Sequence, residues 1–222
     1  MEYRNEAYSG ELERSSYNES FHKLMRMFTF SILIAFIGAY VGTMLPPAIF
    51  LPLGIVQLIM IISAFMLRKR KAVGYGFVFT FCLISGITIY PAIYHYATSA
   101  GAGIVTAAFV ITVAIYAILT LYAYYSKRDF SFLGGFLMIG VLALIGFSIV
   151  GIFMPSLHTG AMGLTIAFAG VMIFSGFILY DISQYKHGVP DQMIPLAVLS
   201  LYLNFINLFL YLLQLLGILN DD

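Results

Sequence analysis

Apolar residues fall into seven blocks, at approximately 24–45, 48–67, 72–92, 103–125, 131–153, 160–184 and 192–217, divided by short polar stretches. A helix that crosses a bilayer needs about 20 apolar residues at ~1.5 Å each, and every block is long enough or close to it. None alternates polar with apolar as a barrel strand does. The blocks therefore predict an all-α membrane protein with seven transmembrane helices at 21–222. A polar cytoplasmic tail precedes them at 1–20, where Glu2, Glu6, Glu11, Glu13 and Glu19 stand among Tyr, Ser and Asn.

Breakers mark the ends of the blocks. Pro46-Pro47 closes the first helix, and the third is expected to end at Tyr90-Pro91, ahead of an outer loop Tyr94–Ser99. Pro190 and Pro195 bracket the start of the last helix. The first helix carries Gly38-x-x-x-Gly42, a spacing that lets two helices approach closely, and packing within one bundle is favoured over dimerisation.

Polar residues inside the blocks are few, which makes each informative. Asp181 is the only acid within a long apolar block. A charge at the bilayer centre costs about 2.5–3.5 kcal/mol on insertion scales, so Asp181 needs a partner, a water-filled route or a proton. Gln184 follows it on the same face of the sixth helix, and Gln57 is a lone mid-span amide in the second. In the last helix Ser200, Asn204, Asn207, Tyr211 and Gln214 recur at spacings of four and three, which places them on one stripe. That stripe must face protein or a cavity. Interhelical hydrogen bonding and a water-lined path are nearly even readings of it.

Composition agrees, with 61% hydrophobic and 9% charged residues. Charge placement adds orientation. All 11 Lys and Arg residues lie before the first span, between the second and third, between the fourth and fifth, or between the sixth and seventh. Seven crossings put every one of them on a single side, so the N-terminus is cytoplasmic and Asn220-Asp221-Asp222 is outside. The first block follows a polar stretch and is long enough to span, which fits an anchor rather than a signal peptide. With no organelle signal, the expected location is the plasma membrane. The basic run Arg68-Lys69-Arg70-Lys71 suits anionic lipid. In a sharper reading, Arg68 folds back to neutralise Asp181.

Several chemistries are disfavoured. An intramembrane aspartyl protease needs two carboxylates sharing a proton, and the spans offer one. No G-x-S-x-G occurs and no His lies within a span, which argues against a serine protease. A retinal protein needs a lysine in the last helix, and none lies between Asp191 and Asp222. His95 and His158, on two loops, make a poor metal site, and Cys82 reads as a small packing residue. Neither an enzyme, a resident cofactor nor a nucleic-acid partner is expected. A gate, a conduit or an interaction scaffold remains.

Arg68-Lys69-Arg70-Lys71-Ala72-Val73-Gly74-Tyr75, Leu179-Tyr180-Asp181, and the run Leu199-Ser200-Leu201-Tyr202-Leu203-Asn204-Phe205-Ile206-Asn207-Leu208-Phe209 resemble the transmembrane Bax inhibitor motif family, most closely its bacterial YetJ-type branch. The resemblance implies a last helix that is central and surrounded by the other six, and a pH-sensitive calcium leak. It also implies a gate in which aspartates of helices six and seven share a proton and exchange contacts with an arginine. Matched by position, these are Asp181, Asn204 and Arg68, so the second aspartate is an amide here. Gln57 stands where the branch has another acid. Gln57, Gln184, Ser200, Asn207 and Tyr211 are the expected polar seam, and Asp181 is the one candidate for touching a passing calcium ion.

The amides change the expectation. Two carboxylates a few ångströms apart cannot both ionise, so one holds its proton toward neutrality; Asn removes that repulsion and its NH₂ can donate to Asp181. Acid sensing should then sit lower in pH than in a two-aspartate relative. Calcium takes six to eight oxygens, usually with carboxylates among them, so its permeation should be weaker than the resemblance implies. The alternative is a non-conducting regulator that binds other membrane proteins, such as a quality-control protease.

Overall fold

A computed structural model describes residues 2–67 and 73–220. Seven α-helices account for nearly all of them: α1 (Glu2–Gly42), α2 (Phe50–Leu67), α3 (Tyr75–Ser99), α4 (Ala102–Tyr125), α5 (Leu133–Phe153), α6 (Gly160–Tyr185) and α7 (Ile194–Asn220). No strand occurs among the described residues. All seven are long and apolar enough to cross a membrane, as the seven blocks predict. The helix of α1 runs back through the polar tail to Glu2.

One boundary differs from expectation. α3 does not stop at Tyr90-Pro91 but continues through Pro91 to Ser99. Proline removes one i→i−4 bond, yet membrane helices tolerate it because neighbouring groups satisfy the freed carbonyl. The segment read as an outer loop, Tyr94–Ser99, is therefore helical, and Thr98 and Ser99 donate to the His95 carbonyl at 3.0 and 2.9 Å. The chain reverses just after, at Gly101, whose φ of 94° suits glycine. Pro52 and Pro195 both lie in the first turn of their helices, where no intrahelical donor is lost.

The chain divides into two compact units. The first combines Met1–Tyr90 with Gln184–Tyr202. Within it α1 and α3 cross at their glycines: a methyl group on Gly38 would run into the Leu83 carbonyl, and one on Gly86 into the Ala35 carbonyl. Gly42 lies against the Tyr90 side chain and the Ile87 carbonyl. The Gly38–Gly42 spacing thus serves a crossing inside one chain. Lipid tails are as apolar as leucine, so helices in hydrocarbon hold together by close contact rather than by a hydrophobic drive, and absent side chains permit that contact. Leu24, Val78, Phe81, Ile194, Val198, Leu201 and Tyr202 fill the interior. Where the tail meets the α6–α7 connection, Lys23 pairs with Asp191 at 2.8 Å and the Val189 amide donates to the Ser20 hydroxyl at 3.3 Å.

The second unit combines Pro91–Ser183 with Leu203–Asp222. Here α7 is gripped by aromatic rings. Phe109 meets Phe205 and Phe209 edge-on at 6.2 and 6.3 Å, Tyr116 meets Phe205 at 5.6 Å, and Phe174 stacks on Tyr211 at 5.7 Å. Gly170 gives the Tyr211 ring its place, Gly176 takes Leu137, and Gly140 takes Ile173. α7 is the most enclosed of the seven spans, with 61% of its apolar window buried against 6% for α2.

Candidate buried carboxylate–amide site

The second unit brings two of the residues singled out from sequence into direct contact. Asp181 sits on the enclosed face of α6, in line with Gly170, Phe174 and Ile178, at the spacing of three and four that defines one helical face. Asn204 is the second residue of the part of α7 that belongs to this unit. Its Nδ2 donates to Asp181 Oδ2 at 2.8 Å, and the two residues are 4% and 5% exposed. An amide N–H can bond only to a carboxyl oxygen that accepts, and an ionised carboxylate accepts at both oxygens. Arg68, expected as the third member, lies outside the described residues.

The rest of the seam is less uniform than its spacing suggested. Asn207 is half-buried and returns its amide to the Leu203 carbonyl of its own helix at 2.7 Å. Tyr211 is half-buried, its ring stacked on Phe174 and its hydroxyl beside Ser148. Ser200 is half-buried in the first unit. Gln57, also in the first unit, accepts a hydrogen bond from the Thr88 hydroxyl, which is itself within reach of the Ser85 carbonyl at 3.0 Å. One hydroxyl proton cannot serve both fully. If the Gln57 amide is turned so that its NH₂ donates to Thr88, both bonds are satisfied.

Gln184 is exposed, at the penultimate position of α6, which ends at Tyr185.

No group of three or more His, Cys, Asp or Glu residues able to hold a metal ion occurs among the described residues. At the site itself one carboxylate and one amide oxygen make a short donor set for calcium, which takes six to eight oxygens. A passing ion would have to keep most of its water there. Sequence reasoning did not anticipate the Thr88 partner of Gln57 or the buried hydroxyls of α3, although Cys82, Ser85 and Thr88 recur every three residues and could have been read as a second polar face.

Known proteins resemble this chain along most of its length. Residues 18–221 match the family described as Inhibitor of apoptosis-promoting Bax1. A Bax inhibitor 1 from Schizosaccharomyces pombe is 34% identical over 167 residues, 75% of this chain and 60% of that protein. A membrane protein from Vibrio cholerae is 35% identical over 176 residues, 76% of this chain and 77% of that protein. A Golgi anti-apoptotic protein of vaccinia virus (strain Lister) is 40% identical over 117 residues, 53% of this chain and 48% of that protein. The chain belongs to the Bax inhibitor-1-like family of membrane proteins.

Proposed function

We propose that the protein is a pH-sensitive cation leak of the plasma membrane, with calcium or protons as the species that pass and the Asp181–Asn204 contact as its gate. The observation that carries this reading is the 2.8 Å bond between a buried carboxylate and a buried amide on two different helices. Protonating Asp181 removes the charge that the amide stabilises and turns one acceptor oxygen into a donor, so the bond weakens as the pH falls. Helices α6 and α7 are then free to part at that level. Arg68 is assigned as the cation that trades partners with Asp181 on opening. The chain lies with its N-terminus in the cytoplasm and its C-terminus outside.

The test is flux through purified protein in dye-loaded liposomes. A calcium or proton signal that rises as the pH falls, and is lost in Asp181→Ala, supports the leak. A second reading, a non-conducting regulator that binds another membrane protein, is favoured by the names of the relatives, which describe inhibition of cell death rather than transport. Silence at every pH, with a membrane-protein partner recovered in defined stoichiometry, supports that reading instead.

A further inference from the structure

Helices α4 and α5 of the second unit are joined at 126–132 by a connection that the proposed gate does not use. Local bonds fix its backbone. The Arg128 amide donates to the Ser126 hydroxyl at 3.1 Å, and the Ser131 amide and hydroxyl donate to the two carboxylate oxygens of Asp129, each at 2.8 Å. Phe130 is turned inward, 8% exposed, with its ring 6.0 Å from that of Tyr122. The connection is therefore a shaped element, and Lys127 and Arg128 are exposed on it.

These two cations have too little counter-charge of their own. Asp129 is the only acid between Glu19 and Asp181, so two positive charges share at most one carboxylate in this stretch. Among the described residues neither cation forms an ion pair. Tyr125 and Phe132, at the two ends of the connection, are 77% and 75% exposed. Both helices are apolar enough to span a membrane, so rings and cations at their shared end stand at the level of lipid headgroups. An Arg guanidinium matches two oxygens of one phosphate, and Lys adds a point charge.

We propose that residues 125–132 bind the headgroup phosphate of an anionic phospholipid, with Arg128 and Lys127 on its oxygens and Tyr125 and Phe132 against its glycerol and upper acyl chains. A zwitterionic lipid brings its own ammonium group with the phosphate, so the surplus positive charge selects the anionic one. The two rings select a lipid over a free phosphate ion, which has no apolar part to cover them.

The chain has no Trp, so one introduced beside the connection is a sole reporter. Phe136, exposed and one turn along α5 from Phe132, is replaced as Phe136→Trp. The full chain is reconstituted in vesicles of phosphatidylglycerol and phosphatidylcholine, with one or the other carrying brominated acyl chains, and quenching of the reporter gives the share of each lipid next to it. Each basic residue close to an anionic headgroup is worth about a fivefold preference, so phosphatidylglycerol should be enriched about fivefold or more beside the reporter. Lys127→Gln combined with Arg128→Gln should abolish that enrichment. Arg4→Gln combined with Arg14→Gln, which removes the same charge from the polar tail, should leave it. Tyr125→Trp reads the same competition from the α4 end. Equal quenching by the two lipids overturns the proposal without any charge variant. So does an enrichment that survives the loss of Lys127 and Arg128, or one that falls as far when the tail loses its charge.

Discussion

Asn204 donates its amide proton to the carboxylate of Asp181 at 2.8 Å, with both groups almost wholly enclosed. Removing one partner of such a pair is worse than removing its charge, because the buried group left behind loses its compensation. Asn204→Leu should therefore lower stability by about 1–3 kcal/mol, and Asp181→Asn, which keeps a polar acceptor, by less. Thermal unfolding of the two variants in one detergent checks the order.

Asn204→Asp should raise the pH at which flux begins. Two carboxylates at this distance cannot both be charged, so one takes up its proton nearer neutrality than a lone carboxylate held by an amide. The pH profile of liposome flux is the measurement, and an unmoved profile would remove Asn204 from the gate.

Gly86→Ala and Gly38→Ala should each cost about 1–3 kcal/mol or more, since the new methyl group meets a backbone carbonyl that cannot swing aside. Gly146→Ala is the control: nothing lies near it, and alanine in a helix interior is favoured over glycine by about 0.5–1 kcal/mol. Unfolding midpoints that rank the first two with the third would refute the crossing.

Gly170 and Tyr211 should be coupled. A methyl group on Gly170 falls on the root of the Tyr211 ring, so Gly170→Ala alone should displace the ring from Phe174 and lower stability. In Tyr211→Ala, which removes the ring atoms the methyl group would strike, the same alanine should cost less, giving a coupling of about 0.5–3 kcal/mol in a double-mutant cycle.

The Lys23–Asp191 pair should matter little. Its side chains are 37% and 77% exposed, where water and salt screen the attraction. Asp191→Asn should leave the unfolding midpoint nearly unchanged, far short of the Gly86→Ala shift, at any ionic strength.

Much of this was legible in the sequence, for identifiable reasons. Seven apolar blocks have one physical solution in a bilayer, so the helices followed directly. Asp181 and Asn204 were visible because a polar group in a long apolar run must be answered by another. What stayed hidden depended on packing. Pro91 looked like a terminus because proline ends helices in water, whereas here α3 runs on to Ser99. The exposure of Gln184 was hidden too, because spacing fixes angle but not how far the enclosing helices reach. The meeting of Ser85 on α3 with Tyr202 on α7 was invisible because it depends on which helices become neighbours.

Helix α2 has 6% of its apolar window enclosed, and Leu51, Ile55, Leu58, Ile59, Ile62 and Met66 all point outward. Its outer residues answer to acyl chains rather than to fitted neighbours, and a fluid solvent tolerates almost any shape. Drift among Leu, Ile, Val and Met should be nearly free there, while Gln57, tied to Thr88, holds the rotation of the rod about its axis. Anyone wishing to attach a spectroscopic label without disturbing the interior would choose this outward flank first.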